Sequence, residues 1–176
     1  MDFDTDRFLK ITHELYNRMT HAGLTATAAS EKALGEPDEV LRWDRVLKEF
    51  LFLYCLLINL RAFRILGPDR GVQFRAALRA VLAHAVAKMI VEFNPQHADT
   101  PREQLESGAS AEMDCIELEY GLAAPRPETN QSWVWAVAGK RIADVLGRPS
   151  IVGPAATIAE AQWQTIGADE LLAGLI

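Results

Sequence analysis

The 176-residue chain contains few of the residues that build metal centres and disulfide frameworks. It has two cysteines, Cys55 and Cys115, and four histidines. The cysteines form no CxxC pair, so nothing indicates a zinc site, a redox motif or a disulfide-stabilised fold. His13 and His21 share a helical face, but they would lie about 12 Å apart along the axis, too far to bind one metal ion. We therefore expect no metal ion and no other cofactor.

The sequence motifs of common enzyme classes are also missing. The chain contains no GxSxG, no phosphate-binding loop and no GxGxxG. Glu103 and Glu106 form one ExxE pair, whereas Asp114 and Glu117 supply the second half of a paired carboxylate pattern in reversed order. The sequence thus favours a protein without catalytic residues. A carboxylate- and metal-dependent enzyme is the weakest of the alternatives considered below.

The charge balance argues against specific binding to nucleic acid. Twenty-four acidic and 18 basic residues give a net charge of −6, and an acidic chain repels phosphate backbones. Residues 141–150 have the alanine and glycine spacing of a helix-turn-helix, but Gly153 and Pro154 fall where the second helix should continue. In a second candidate, residues 27–43, two acidic residues would face the phosphates. We expect no specific nucleic-acid partner.

Long apolar segments are limited to residues 50–60. As a helix this run is about 16 Å long, whereas the hydrocarbon core of a membrane is about 30 Å thick. We therefore interpret it as the centre of a buried helix rather than as a membrane span. The first ten residues are acidic, unlike a signal peptide, so we expect a cytoplasmic protein.

The spacing of the apolar residues predicts an all-α fold, a single helical domain over residues 1–176. Apolar residues from Phe8 to Ala22 mark a first helix that should end at Gly23, followed by a short helix over 27–34. The strongest prediction is a long antiparallel helical hairpin at about 38–93, turned at Gly67 and Pro68. Its expected core residues are Leu53, Leu57, Leu78, Val81, Leu82 and Val86.

The segment 94–131 is predicted to be loop-rich. A helix should begin after Thr100 and be interrupted at Ser107 and Gly108. Residues 113–138 fit a helix, but their alternating apolar residues also fit strands. An α+β fold with a small β-hairpin in 114–138 therefore remains the alternative.

Basic and acidic residues are segregated along the chain. Residues 56–91 carry six basic residues against one acid, and residues 92–130 carry nine acids against two arginines. The hairpin should bring five arginines to one end of the molecule: Arg61, Arg64, Arg70, Arg75 and Arg79. Such a cluster can bind an anion or an acidic partner, or the acidic segment of the same chain can fold against it.

Three functional hypotheses follow from these patterns. The first is a non-catalytic interaction protein, an acidic adaptor, chaperone or inhibitor whose surface binds another protein or a second copy of itself. The second is a regulatory or sensory domain that binds a small apolar or anionic ligand between its helices. The third is the metal-dependent enzyme. The residues expected to line the pocket of the second are Phe50, Phe52, Tyr54 and either Trp133 or Trp135.

Overall fold

The computed structural model describes residues 5–34, 43–123 and 132–176. These ranges form α-helices and two short 3-10 turns, and none of the described residues lies in a strand. The helices are α1 (Thr5–Leu34), α2 (Trp43–Leu66), α3 (Pro68–Phe93), α4 (Arg102–Ala123), α5 (Ser132–Leu146), α6 (Val152–Ile166) and α7 (Ala168–Ala173), with 3-10 turns at Pro95–His97 and Pro149–Ile151. The all-α prediction is confirmed.

Helix α1 continues through Gly23, so the prediction that this glycine ends the helix is wrong. A Cβ atom at Gly23 would lie 3.1 Å from a methyl carbon of Leu51 and 3.3 Å from one of Leu47. The glycine therefore allows α1 to pack closely on α2, and the predicted short helix over 27–34 is the last part of α1. The predicted apolar face is confirmed: Leu15, Met19 and Ala22 are buried, and Phe8 and Ile11 are partly buried.

The centre of α2 is covered on all sides, as its apolar sequence predicts. The six residues 50–55 are each at most 5% exposed, and α2 packs against α1, α3, α5 and α7. Leu60, at 52% exposed, brings the apolar run to the surface. The predicted start of the helix at Asp38 lies outside the described residues. No helix among the described residues is long and apolar enough to cross a membrane.

Helices α2 and α3 are joined by Gly67 alone, whose φ of 79° lies in the left-handed region that favours glycine. A Cβ atom at Gly71 would lie 2.7 Å from a ring carbon of Phe63, so the start of α3 packs on the end of α2. At their other ends the two helices line one cavity, through Leu47, Leu51, Val86 and Met89. These contacts place α2 and α3 in opposite directions.

Four of the six predicted core residues of this pair are buried: Leu53, Leu78, Leu82 and Val86. Leu57 and Val81 are only partly buried, so the prediction is wrong for these two. Leu57 lies one turn before Arg61 on the face of α2 that reaches solvent, and a run that is apolar on all sides does not show which of its faces this is.

Helix α4 is continuous across Ser107 and Gly108, so the predicted interruption is wrong. No atom lies within 4 Å of the position that a Cβ atom would take at Gly108. The glycine therefore lowers the stability of the helix only through its low helix propensity. α4 also occupies 102–123, much of the segment predicted to be loop-rich. Its buried face carries Ala109, Met113, Ile116 and Tyr120 at helical spacing.

The strand alternative for 114–138 is wrong wherever the structure describes this segment. Residues 114–123 belong to α4 and residues 132–138 to α5, while 124–131 lie outside the described residues. In α5, Trp135, Ala138 and Ile142 are buried at the spacing of a helix. Helical burial thus decides between two patterns that the sequence alone leaves open.

Candidate functional site

The five arginines singled out in the sequence fall into two groups with different neighbours. Arg75 and Arg79 face α4, whereas Arg61, Arg64 and Arg70 lie on the side of the molecule that carries α6, α7 and the chain end. The structure therefore does not bring all five into one site.

Arg75 and Arg79 lie one turn apart on α3 and share two carboxylates of α4. Arg79 donates from Nη1 to Glu117 Oε1 at 3.0 Å and from Nη2 to Asp114 Oδ1 at 2.7 Å. Its Nη2 also donates to the Ser110 carbonyl oxygen at 3.0 Å. Arg75 pairs with Glu117 as well. These two guanidinium groups already have carboxylate partners within the chain, as expected if the acidic segment folds against the arginines.

Two further acidic residues of α4 are paired with bases from other helices. Lys48 of α2 lies 2.8 Å from Glu112, and Arg141 of α5 contacts Glu119. Arg141 also donates to both oxygens of the buried Glu49, at 2.7 and 2.9 Å. Burial alone would lower the pKa of Arg141, but its hydrogen bonds to Glu49 and the charges of Glu49 and Glu119 raise it. Helix α4 is thus held to three neighbours by charge as well as by its apolar face.

The second group of arginines lies beside the exposed Leu60 and the partly buried Leu57 and Trp163. Leu57, Leu60, Arg61 and Arg64 follow one face of α2 at spacings of three, one and three residues. Together with Trp163 of α6 they line a cavity of about 160 Å³. We call these five residues the Trp163 surface. Arg61 and Trp163 also line an adjoining cavity of about 330 Å³ that is bounded by the start of α7.

The two arginines of the Trp163 surface are weakly paired. Arg61 Nη1 lies 3.6 Å from Asp169 Oδ2, and this carboxylate is mostly exposed. Arg64 is exposed and makes no ion pair with any of the residues that the structure describes. Arg70 is used differently, since its Nη1 donates to the carbonyl oxygen of Leu175 at 3.5 Å. Arg61 and Arg64 are therefore the members of the predicted set best placed to bind an external acid.

The buried side chain of Tyr54 packs against the indole of Trp163. The two rings stack with their centroids 6.4 Å apart, and the Tyr54 hydroxyl donates to the carbonyl oxygen of Ala159 at 3.1 Å. Burial raises the pKa of this phenol well above its usual value, so it remains a neutral donor. The indole is thus supported on one face by the core while it lines both cavities.

The aromatic residues expected to line a ligand pocket lie elsewhere. Phe50, Phe52 and Tyr54 are at most 2% exposed, and the Phe50 and Tyr54 rings stack at 6.1 Å. Trp135 is buried, and Trp133 packs on Tyr120 with centroids 6.4 Å apart. These side chains fill the core, and none of them lines the cavities described here.

The largest of these cavities lies between α3, the turn at 95–97 and α4, and has a volume of about 410 Å³. Its wall is apolar, and its rim carries His84, Lys88 and Arg102. His84 is exposed. The lining residues are His84, Ala87, Lys88, Val91, Glu92, Ala98, Thr100, Arg102 and Leu105.

No group of three or more histidine, cysteine, aspartate or glutamate side chains with the geometry of a metal site occurs among the described residues. His13 and His21 are exposed on α1. Asp114 and Glu117, which belong to the incomplete carboxylate pattern, are engaged by Arg79.

Comparison of the chain with protein-family models, with curated proteins and with solved structures gives no match. The functional assignment therefore depends on the geometry of the chain itself. Sequence reasoning found Arg61 and Arg64 but missed Leu60 and Trp163. The available signal was the shared spacing of residues 57, 60, 61 and 64, which marks a face where an apolar helix reaches solvent.

Proposed function

We propose that the protein is a non-catalytic interaction protein that binds an acidic segment of a partner protein at the Trp163 surface. The observation that carries this proposal is an exposed leucine beside a supported tryptophan and two weakly paired arginines. Aromatic side chains and arginine are enriched in protein interfaces, and tryptophan and arginine are frequent among the residues that dominate binding energy.

The chemistry of the surface defines the partner. Leu57, Leu60 and Trp163 offer an apolar contact that a large apolar side chain would cover. Arg61 and Arg64 lie at its edge and would bind carboxylates, for which the planar guanidinium is well suited. A partner segment should therefore combine aspartate or glutamate with leucine, phenylalanine or tryptophan.

The experiment is a selection of random 12-residue peptides displayed on phage against the immobilised full-length protein. We expect the selected peptides to be enriched in acidic and large apolar residues. Binding of a synthetic version should weaken at least about tenfold in Leu60→Asp and in Arg64→Glu, as for a dominant interface residue.

Leu24→Asp is the matched control, because Leu24 is also a helical leucine and is also 52% exposed, but it lies on α1 away from this surface. It should leave peptide binding unchanged. Selected peptides without an excess of acidic residues, or equal loss of binding in Leu24→Asp and Leu60→Asp, would contradict the proposal. Sedimentation of the unmodified protein shows whether a second copy of the chain occupies the surface instead.

A further inference from the structure

The cavity between α3 and α4 has the composition of a binding site for a small organic anion. This cavity is formed by different helices from the Trp163 surface, and the two share no residue. Its volume of about 410 Å³ is within the range of about 300–1,000 Å³ that is usual for small-molecule sites. Sites of this kind combine an apolar wall with a few charged groups that fix the orientation of the ligand.

The apolar wall comes from three elements. Ala87 and Val91 lie one turn apart on α3, Ala98 follows the 3-10 turn, and Leu105 lies in the first turns of α4. Ala87 is buried, at the back of this wall. The wall is suited to a short aliphatic or aromatic body.

The two cations of the rim, Lys88 and Arg102, have exposed side chains that a ligand could contact. Arg102 Nε and His84 Nδ1 contact the same oxygen of Glu106, at 2.8 and 3.0 Å. Lys88 Nζ lies 3.7 Å from Glu92, and both of these side chains are largely exposed, so this pair contributes little stability. Lys88 and Arg102 are thus mostly exposed, and each pairs with a carboxylate four residues later on its own helix.

A ligand carboxylate would compete for these two exposed cations. Arg102 uses its Nε for Glu106, and its side chain is mostly exposed. The ammonium of Lys88 can leave its long contact with Glu92 for a closer anion at small cost. We propose that this cavity binds a small monocarboxylic acid, with the carboxylate between Lys88 and Arg102 and the apolar body against Ala87, Val91 and Leu105.

The proposal is tested with sodium benzoate as the probe and benzamide as its neutral isostere. Each is titrated into the ¹⁵N-labelled full-length protein, and the amide chemical shifts of residues 84–105 are followed. We expect saturable shifts with benzoate and binding of benzamide that is weaker by about tenfold or more, because charge-assisted hydrogen bonds are lost. Equal affinity for the two probes, or no saturable shift with benzoate, would overturn the proposal.

Variants separate a specific site from general attraction between charges. Lys88→Gln and Arg102→Gln should each weaken benzoate binding several-fold. Lys140→Gln is the control for Lys88→Gln, because both lysines are largely exposed and both pair with a carboxylate four residues later on a helix. Equal loss in Lys140→Gln and Lys88→Gln would contradict the assignment.

A third variant tests the apolar wall without removing a charge. Ala98 is exposed at the edge of the cavity, so Ala98→Phe should fill the space without disturbing the core. We expect this variant to lose benzoate binding while its unfolding midpoint stays close to that of the unmodified protein. Unchanged benzoate binding in Ala98→Phe would place the probe outside the cavity and overturn the proposal.

Discussion

Gly139 shows at the scale of one residue how tightly two helices of this protein pack. A Cβ atom at this position of α5 would overlap the carbonyl oxygen of Val152 and would lie 3.0 Å from the Cβ of Ala156 on α6. Gly108 of α4 is also inside a helix, but its Cβ position has no neighbour within 4 Å. The same residue type therefore allows close packing at one site and only lowers helix propensity at the other.

Alanine at these two positions should have opposite effects on stability. Gly139→Ala forces the α6 backbone away from α5, and we expect a loss of about 1–3 kcal/mol in the free energy of unfolding. Gly108→Ala should gain about 0.5–1 kcal/mol because alanine is the better helix former. Urea denaturation measures both, and a Gly139→Ala protein as stable as Gly108→Ala would contradict the described packing of α5 on α6.

The two cysteines also differ in their surroundings, since one is buried and the other is exposed. Cys55 is buried in α2, and desolvation raises the pKa of its thiol to about 12, whereas Cys115 is exposed on α4. Because the thiolate is the reactive species, a buried and protonated Cys55 should not react.

We expect one thiol per chain to react with Ellman's reagent at about pH 8, where an ordinary thiol is partly ionised. The second thiol should react only after denaturant is added. Cys115→Ser should remove the fast reaction and leave the slow one. Rapid reaction of two thiols in the folded protein would show that α2 is not covered as described.

At the scale of one element, α4 is held in position by charge as well as by its apolar face. Four of its acidic residues pair with Lys48, Arg75, Arg79 and Arg141, which come from three other helices. Arg79 is the most buried of these partners, with only 12% of its side chain exposed. Its three hydrogen bonds to Asp114, Glu117 and the Ser110 carbonyl require the shape of a guanidinium.

Lysine should therefore replace Arg79 poorly, although it keeps the charge. We expect Arg79→Lys to lower the free energy of unfolding by about 1–3 kcal/mol, because donors to partly buried acceptors are lost. The matched variant Arg75→Lys should cost less than about 1 kcal/mol, since Arg75 is about three times as exposed and contacts the same acids. If Arg79→Lys and Arg75→Lys lower the free energy of unfolding equally in thermal or urea unfolding, the hydrogen bonds of the Arg79 guanidinium do not position α4.

The elements could be predicted from the sequence to different extents. The helical spacing of apolar residues in α1, α2 and α3 and the end of α2 before Gly67 are local signals, so they can be predicted from the sequence. Gly23 and Gly108 were taken for breaks because a glycine inside a helix and a glycine at its end look the same in sequence. The alternation in 116–122 is typical of a strand, but on α4 it includes Leu118, which is exposed, and Glu117, which pairs with Arg75 and Arg79 of α3. Such information lies in tertiary contacts, which a single sequence does not display.

At the scale of the whole molecule, acidic and basic residues that lie in separate segments of the sequence pair with each other in the fold. One cluster of buried apolar side chains includes residues from all helices from α1 to α7, and around it the acidic α4 lies against basic side chains of α2, α3 and α5. Arg75 and Arg79 are engaged by the acids of α4, whereas Arg61 and Arg64 lie beside Leu60 and Trp163. The site could be predicted only in part, because which arginines remain available depends on where α4 folds.

The most direct test of this account is a charge exchange between the protein and a bound peptide. An acidic peptide selected on the unmodified protein should bind the Arg64→Glu variant at least about tenfold more weakly. A version of this peptide with its key acidic residue replaced by arginine should bind Arg64→Glu better than it binds the unmodified protein, because the charges are again complementary. Fluorescence anisotropy gives all four affinities, and they should weaken with added salt only for the complementary pairs. If the exchanged peptide shows no preference for Arg64→Glu, the Trp163 surface is not the docking site for an acidic partner.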